Sequence, residues 1–225
     1  LIKDNSGKWW ITGLPYWKIE PSILENVQFG NNSYKIIVGW TLIDDSGKKY
    51  FYGDFASSSE LTSGNVKGNA TQYVLCWPKT KGFVGLSTGG EDFLFPNAWN
   101  LQKIEDLKGN SLSYEYYSMK EKITINEWTS RFGYTKENYL KKVMASNGGY
   151  VEFEIKLKGI GDFKDEFLDL NGDTELTEDD ADAFVDPIER HYLASVKMYG
   201  KDGSLISNVE FCYGSLFLAP DGKKD

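Results

Sequence analysis

The chain reads as all-β: an antiparallel sheet of repeated β-hairpins, shell-like or sandwich-like, with one short helix after an acidic loop. Three observations predict this. Turn signals built on glycine recur along the whole length, the runs between them are rich in aromatic and β-branched residues, and three stretches repeat one strand, turn, strand plan. These stretches are 101–116, turning at Gly109, then 140–155, turning at Gly148, and 193–213, turning at Gly203. Their leading leucines, Leu101, Leu140 and Leu193, stand 39 and then 53 residues apart, so the period is irregular and the longer gap holds an insertion.

Asn5-Ser6-Gly7-Lys8 and Asp45-Ser46-Gly47-Lys48 mark the first turns, followed by Lys108-Gly109-Asn110, Asn147-Gly148-Gly149 and Lys201-Asp202-Gly203. Gly, Asn and Asp reach the positive φ that tight hairpins demand. Tyr50 to Tyr52, Leu112 to Tyr116 and Val209 to Tyr213 place bulky rings at alternate positions. The clearest strand covers 151–158, where Val151, Phe153, Ile155 and Leu157 form a dry face and Glu152, Glu154, Lys156 and Lys158 a wet one. Residues 57–69, rich in Ser, Gly and Asn, read as a long surface loop. A weak helical signal of one or two turns runs from Ile125 to Arg131, closed by Gly133. The best helix begins at Thr177, whose hydroxyl caps a first turn holding Glu178, Asp179 and Asp180, and it ends before Pro187. A sheet of this kind leaves exposed edge strands near one or both termini.

With 225 residues and 40% hydrophobic content, the chain can bury a substantial core as a single β-rich unit over 1–225. A formal charge of −8 and a pI near 4.9 argue against nucleic acid as a partner, because a phosphate backbone needs a basic stripe. The acidity is local. Residues 159–190 hold twelve Asp and Glu against Lys164 and Arg190, a net of −10, which leaves the remainder near +2. No run of about eighteen apolar residues offers a membrane span. Leu1-Ile2-Lys3-Asp4 has neither a start Met nor a signal pattern, and Ala219 to Asp225 stops on a turn signal, so the chain reads as a fragment of a larger parent. Cys76 and Cys212 leave open one disulfide or two buried thiols, with the thiols favoured.

The insertion carries the sharpest motif. Asp169, Asn171, Asp173 and Asp180 stand at positions 1, 3, 5 and 12 of a loop that leads into the Thr177 helix, with the main-chain carbonyl of Glu175 between them. Calcium takes six to eight oxygens, and this spacing wraps them around one hard cation, as in the calcium loops of dockerin modules. Thr174 stands where glycine usually makes the sharp turn, and Asp180 is shorter than the bidentate glutamate of tight sites. A single site of this kind braces a loop rather than senses calcium.

Other chemistries lack players. His191 is the only histidine and no cysteine lies near it in sequence, so it reads as a surface or half-buried residue rather than a zinc ligand. Neither a Gly-x-Ser-x-Gly elbow nor a phosphate-cradling glycine loop is present. Thirty-three carboxylates include no pair that stands out as a glycosidase acid and base. Trp9, Trp10 and Trp17, with Tyr16 beside them, are the candidate carbohydrate-binding residues of an alternative reading, a calcium-stabilised sugar-binding β-sandwich of a secreted protein. The other reading of these rings places them in the core or along a hydrophobic edge.

The order of the hairpins resembles the YD-repeat (RHS) proteins, in particular the insecticidal toxin-complex B component and its plasmid-virulence relatives. The likeness rests on Trp40 to Gly47 with Tyr50 to Gly53, on Trp99-x-Leu101-x-Lys103-Ile104-x-Asp106 followed by Gly109-Asn110 and Tyr114-x-Tyr116, on Tyr150 to Glu154, and on His191 to Val196 with Asp202-Gly203. It spans roughly residues 36 to 215. It implies a bacterial, secreted or surface-exposed, non-enzymatic wall segment. In that family the β-sheet winds into a hollow shell around a toxic C-terminal cargo, so the partner would be the rest of the parent polypeptide or a neighbouring shell protein. The chain departs from the family in lacking repeated Tyr-Asp dipeptides and a counterpart of the self-cleaving aspartate region.

Overall fold

The chain lays down one antiparallel sheet almost strand by strand. The computed structural model describes residues 2–3, 5, 7–10, 13, 16–29, 32–76, 93–122, 124–125, 128–158 and 190–213. In chain order the elements are β1 (Ile2–Lys3), β2 (Trp9–Trp10), β3 (Lys18–Phe29), β4 (Asn32–Ile43), β5 (Lys49–Tyr52), α1 (Ser58–Ser63), β6 (Thr71–Cys76) and β7 (Phe93–Trp99). There follow β8 (Leu101–Glu105), β9 (Ser111–Glu121), β10 (Thr124–Ile125), β11 (Trp128–Thr129), β12 (Tyr134–Ala145), β13 (Tyr150–Leu157), β14 (His191–Tyr199) and β15 (Leu205–Glu210). Nine strands form the main sheet in the order β15-β14-β13-β12-β9-β8-β5-β4-β3, while β1-β2, β6-β7 and β10-β11 are two-stranded satellites. The all-β antiparallel class read from the sequence is the class observed.

Four hairpins of the main sheet close through the same hydrogen bonds. Gly47 N donates to Asp44 O at 3.0 Å and Asp44 N to Lys48 O at 3.0 Å; Gly109 and Asp106, Gly148 and Ala145, and Gly203 and Gly200 repeat both bonds at 2.9–3.1 Å. Each glycine sits at φ between +80° and +95°, where a Cβ is strained. Because every neighbouring pair in the sheet is antiparallel, these four turns share one rim. The long connections β5 to β8, β9 to β12 and β13 to β14 all fall on the opposite rim.

One face of the sheet holds the core. Ile36, Val38, Trp40 and Leu42 alternate along β4, and the β6-β7 pair, Leu61 of α1 and Phe132 bury its first half. Trp9 meets Trp40 edge-on at 5.0 Å, and Trp99 meets it likewise at 5.9 Å. The packing is fixed by a half-buried carboxylate: Asp54 accepts Ala70 N at 2.8 Å and Thr71 N at 2.9 Å, while Asp54 N donates to Thr71 Oγ1 at 2.8 Å. Burial holds the Asp54 carboxyl above its ordinary pKa despite those donors.

Several elements differ from the sequence reading. Residues 58–63 form a helix rather than loop, because Ser57 and Glu60 make a reciprocal capping box, with Ser57 N donating to Glu60 Oε2 at 2.8 Å, and Gly64 closes the helix at φ +71°. The described residues between Ile125 and Arg131 are not helical. Thr124, Ile125, Trp128 and Thr129 pair as β10 and β11, since β-branched and aromatic residues lose rotamer freedom in a helix. The last strand begins at Leu205 and ends at Glu210, earlier than the 209–213 stretch read from its rings. Strand β13 has no fully dry face, for Val151, Phe153 and Ile155 are only half-buried and Leu157 is 67% exposed. The helix expected from Thr177 lies outside the described residues.

Two glycine substitutions separate backbone strain from crowding. Gly109→Ala should cost about 1–2 kcal/mol through its left-handed φ alone, because nothing lies within 4 Å of the added Cβ. Gly53→Ala should cost clearly more, since its Cβ would stand 2.5 Å from Trp99 Cδ1 and 2.9 Å from Val38 O. Urea unfolding of both variants checks the order.

Candidate functional site

The register divides the sheet into two chemically distinct faces. On the core face Leu42, Tyr50, Ile104 and Leu112 are successive cross-strand partners, as are Tyr114, Val143, Val151 and Met198, and then Phe153, Val196 and Val209. Cover thins along this face, with Leu112 37%, Met198 45% and Val209 50% exposed. On the other face one rung runs Glu115, Lys142, Glu152, Lys197, Asn208 across five strands, alternating in charge until its last member. Lys142 Nζ lies 3.2 Å from Glu152 Oε1, and Lys197 Nζ 2.9 Å from Glu154 Oε2. Lys197 holds the Glu154 carboxyl below its usual range, and Glu154 raises Lys197 in return. Unlike charges opposite one another favour this register over a slip, although exposed pairs add little stability.

The two ends of the sheet are built differently. Strand β3 carries Pro21, two register irregularities, Asn26 at φ +57° and the ion pairs Lys18–Glu20 at 2.6 Å and Lys35–Glu25 at 2.8 Å. These are the devices by which edge strands resist pairing. Strand β15 carries none of Pro, Lys or Arg, and all six of its residues are exposed. Leu205, Ile206 and Val209 are 56%, 63% and 50% exposed, and Phe211 just beyond is 40% exposed.

A third feature is invisible in the sequence. Glu137, buried on β12, accepts from the backbone N–H of Arg190 and is hydrogen-bonded to His191 Nδ1 at 2.5 Å. The ring of Tyr139 lies edge-on to His191 at 5.8 Å. Lys158 N donates to Arg190 O at 2.8 Å. One carboxylate thus ties the point where the acidic insertion rejoins the sheet, 54 positions from its own place in the chain. The pair acts as a clasp. Nothing but the lone histidine marks it in the sequence.

The hollow of about 420 Å³ at the turn rim has Tyr50, Ile104 and Leu112 along its floor. The polar groups around it serve their own turns: Asp106 accepts Lys108 N at 2.8 Å and Asn110 N at 2.9 Å, Asn147 accepts Gly149 N, and Ser146 Oγ accepts Ser111 N.

Of the residues singled out from sequence, Trp9 and Trp17 are half-buried against the cluster of Ile19, Trp40 and Leu42, and Trp17 stacks on Tyr50 at 5.1 Å. Trp10 pairs with Ile2 in the β1-β2 hairpin. Tyr16 is 82% exposed. Asp169, Asn171, Asp173, Glu175 and Asp180 lie outside the described residues, and among the described residues no group of three His, Cys, Asp or Glu forms a metal site. Cys212 is a free, exposed thiol rather than a buried one, because the chain at 212 has left the cover of the sheet. No described helix is long and apolar enough to cross a membrane. Comparison with protein-family models, curated proteins and solved structures gives no significant match to this chain.

Two outcomes test these assignments. Glu137→Ala should lower stability by about 1–3 kcal/mol, because Arg190 N–H and His191 both lose their acceptor in a buried setting, and urea unfolding reads the loss. The turn aspartates should set the acid limb. Hydrogen bonds from Ser46, Asn110 and Ser204, respectively, hold Asp44, Asp106 and Asp202 below the usual carboxylate range. A depressed folded pKa contributes stability that is present above about pH 4 and lost as pH falls through the folded value. Melting temperatures between pH 5 and 2 should therefore fall, and Asp44→Asn with Asp106→Asn should flatten that fall.

Proposed function

We propose that this chain is a non-enzymatic wall segment of a secreted or surface bacterial β-shell, of the kind the RHS and toxin-complex proteins build around a cargo. One observation carries the reading: four hairpins with identical closing turns, added in sequence order to a single sheet of nine described strands. Such a design extends by repetition, and its chemistry is register and shape rather than convergence of reactive groups. The sequence likeness over roughly residues 36 to 215 supports the same reading, since its motif residues fall on β4, β5, β8, β9, β13 and β14. In this proposal the acidic segment is a calcium-braced insertion on the rim opposite the tight turns, anchored at its base by the Lys158–Arg190 bond and the Glu137 clasp.

Electron microscopy of the parent polypeptide tests the wall directly. The nine strands should appear as part of one curved sheet, with further strands added beside β15, around an enclosed interior. A separate closed module tethered outside any shell would overturn the reading. The calcium proposal has its own measurement. Titration of metal-stripped chain should release heat and raise the melting temperature, by about 2.7 kcal/mol of stability at a hundredfold excess over the dissociation constant. Asp169→Ala with Asp173→Ala should remove that response, while His191→Ala should retain it. Absence of both heat and a melting shift at millimolar calcium would leave the insertion a solvated acidic loop.

A further inference from the structure

We infer that the hollow at the turn rim is a binding site for a neutral saccharide. The inference stands apart from the wall reading, because it concerns one patch of the sheet's surface and not how the sheet continues. Register explains why the hollow exists. Tyr50, Ile104, Leu112 and Ala145 are successive cross-strand partners from β5 through β8 and β9 to β12, so their side chains share the core face. The row is bulky until Ala145, whose methyl leaves a space of about 420 Å³ beside the turns that close at Gly47, Gly109 and Gly148. That volume falls in the ordinary range of small-ligand sites, about 300–1,000 Å³.

Polar groups stand ready around this apolar floor. Asn147 Oδ1 accepts Gly149 N at 3.1 Å and Asn110 Nδ2 donates to Asp106 Oδ2 at 2.8 Å, so each amide spends one atom on its own turn. The other atoms, Asn147 Nδ2 and Asn110 Oδ1, have no partner among the described residues, and neither has Ser111 Oγ. The same face continues past the hollow as an aromatic shelf. Tyr114 follows Leu112 two positions along β9, is half-buried, and its hydroxyl likewise has no partner among the described residues.

The lining then selects the ligand. Lys48 and Asp106 are the only charged side chains around the hollow, and they balance, so the site does not draw an ion. An extended peptide finds no edge to join. Residues 103–105 of β8 are paired with β5 and β9, and 111–113 of β9 with β8 and β12, or in the case of Ser111 O with Ser146 N, which leaves no backbone for strand addition. A wholly apolar ligand would bury the amides and the Ser111 hydroxyl without partners, at a cost. A neutral sugar meets each condition: its ring C–H face covers Tyr50, Ile104 and Leu112, and its hydroxyls bond Ser111, Asn110 and Asn147. The tryptophans singled out in the sequence are not this floor, since Trp9 and Trp17 pack on the cluster of Ile19, Trp40 and Leu42.

Methyl NMR of the chain titrated separately with maltose, cellobiose and chitobiose tests the site. At least one disaccharide should bind with a dissociation constant in the millimolar range or below, shifting the methyls of Ala145, Leu112 and Ile104 and not those of Ile206 or Val209 on β15. Ala145→Leu, which fills the hollow with an apolar side chain, should weaken that binding by about tenfold or more without lowering the melting temperature. Asn147→Asp keeps the acceptor for Gly149 N and removes only the amide donor, so it should weaken binding about three- to tenfold with the turn intact. Ile206→Ala should leave binding unchanged. No shift with any of the three sugars at tens of millimolar overturns the inference. So do shifts that centre away from Leu112 and Ala145, or binding indifferent to both Ala145→Leu and Asn147→Asp.

Discussion

The register of this sheet depends on one local constraint, the left-handed glycine that closes four of its hairpins three residues after the strand turns. A glycine at φ near +80° lets the N–H of the fourth turn residue reach the carbonyl of the first, and the first N–H then reaches the fifth carbonyl. The two bonds fix which residues of the flanking strands face each other. From Gly47, Gly109, Gly148 and Gly203 the register propagates outward and sets both faces. The apolar partners gather on one side, and the Glu and Lys partners on the other. A slip of one residue in any hairpin would reverse all its side chains.

This constraint also separates the two rims. The turn rim is short, repeated and stiffened by side chains that serve their own backbone, as with Asp44 on Ser46 and Lys48 and Asp106 on Lys108 and Asn110. Neighbouring turns touch, through Ser146 N to Ser111 O at 2.8 Å. The opposite rim carries the long connections β5 to β8, β9 to β12 and β13 to β14. The acidic insertion leaves from that rim, and the Glu137 clasp fixes where it returns. Tight turns thus occupy one rim and the long connections the other.

Much of this was legible in the sequence, for physical reasons. Glycine turns flanked by alternating rings report local backbone demands, so the turns at Gly109, Gly148 and Gly203 stand where the sequence puts them. The capping box at Ser57 and Glu60 was equally local, yet a run of Ser, Gly and Asn obscured it, although Leu61 directly after Glu60 supplied the apolar anchor of a helix. Solvent exposure was not legible. Whether Phe153 faces a packed layer depends on what covers β13, and no alternation within 151–158 encodes the position of β6, β7 and α1 over the other end of the sheet. The Glu137–His191 clasp was out of reach because its partners are far apart in the chain and meet only after β12 and β14 are placed. The calcium motif and its residues remain a reading of spacing alone.

The central claim is that nine strands of this chain form one continuous sheet, with β3 and β15 its outermost strands among the described residues. Amide hydrogen exchange of the dilute chain tests it most directly. The account predicts slow exchange across β4, β5, β8, β9 and β12, retained protection in β13 and β14, and the fastest exchange of the sheet in β15. Uniform protection through 205–210, or an abrupt loss of protection between β12 and β13 that marks two separate units, would contradict it.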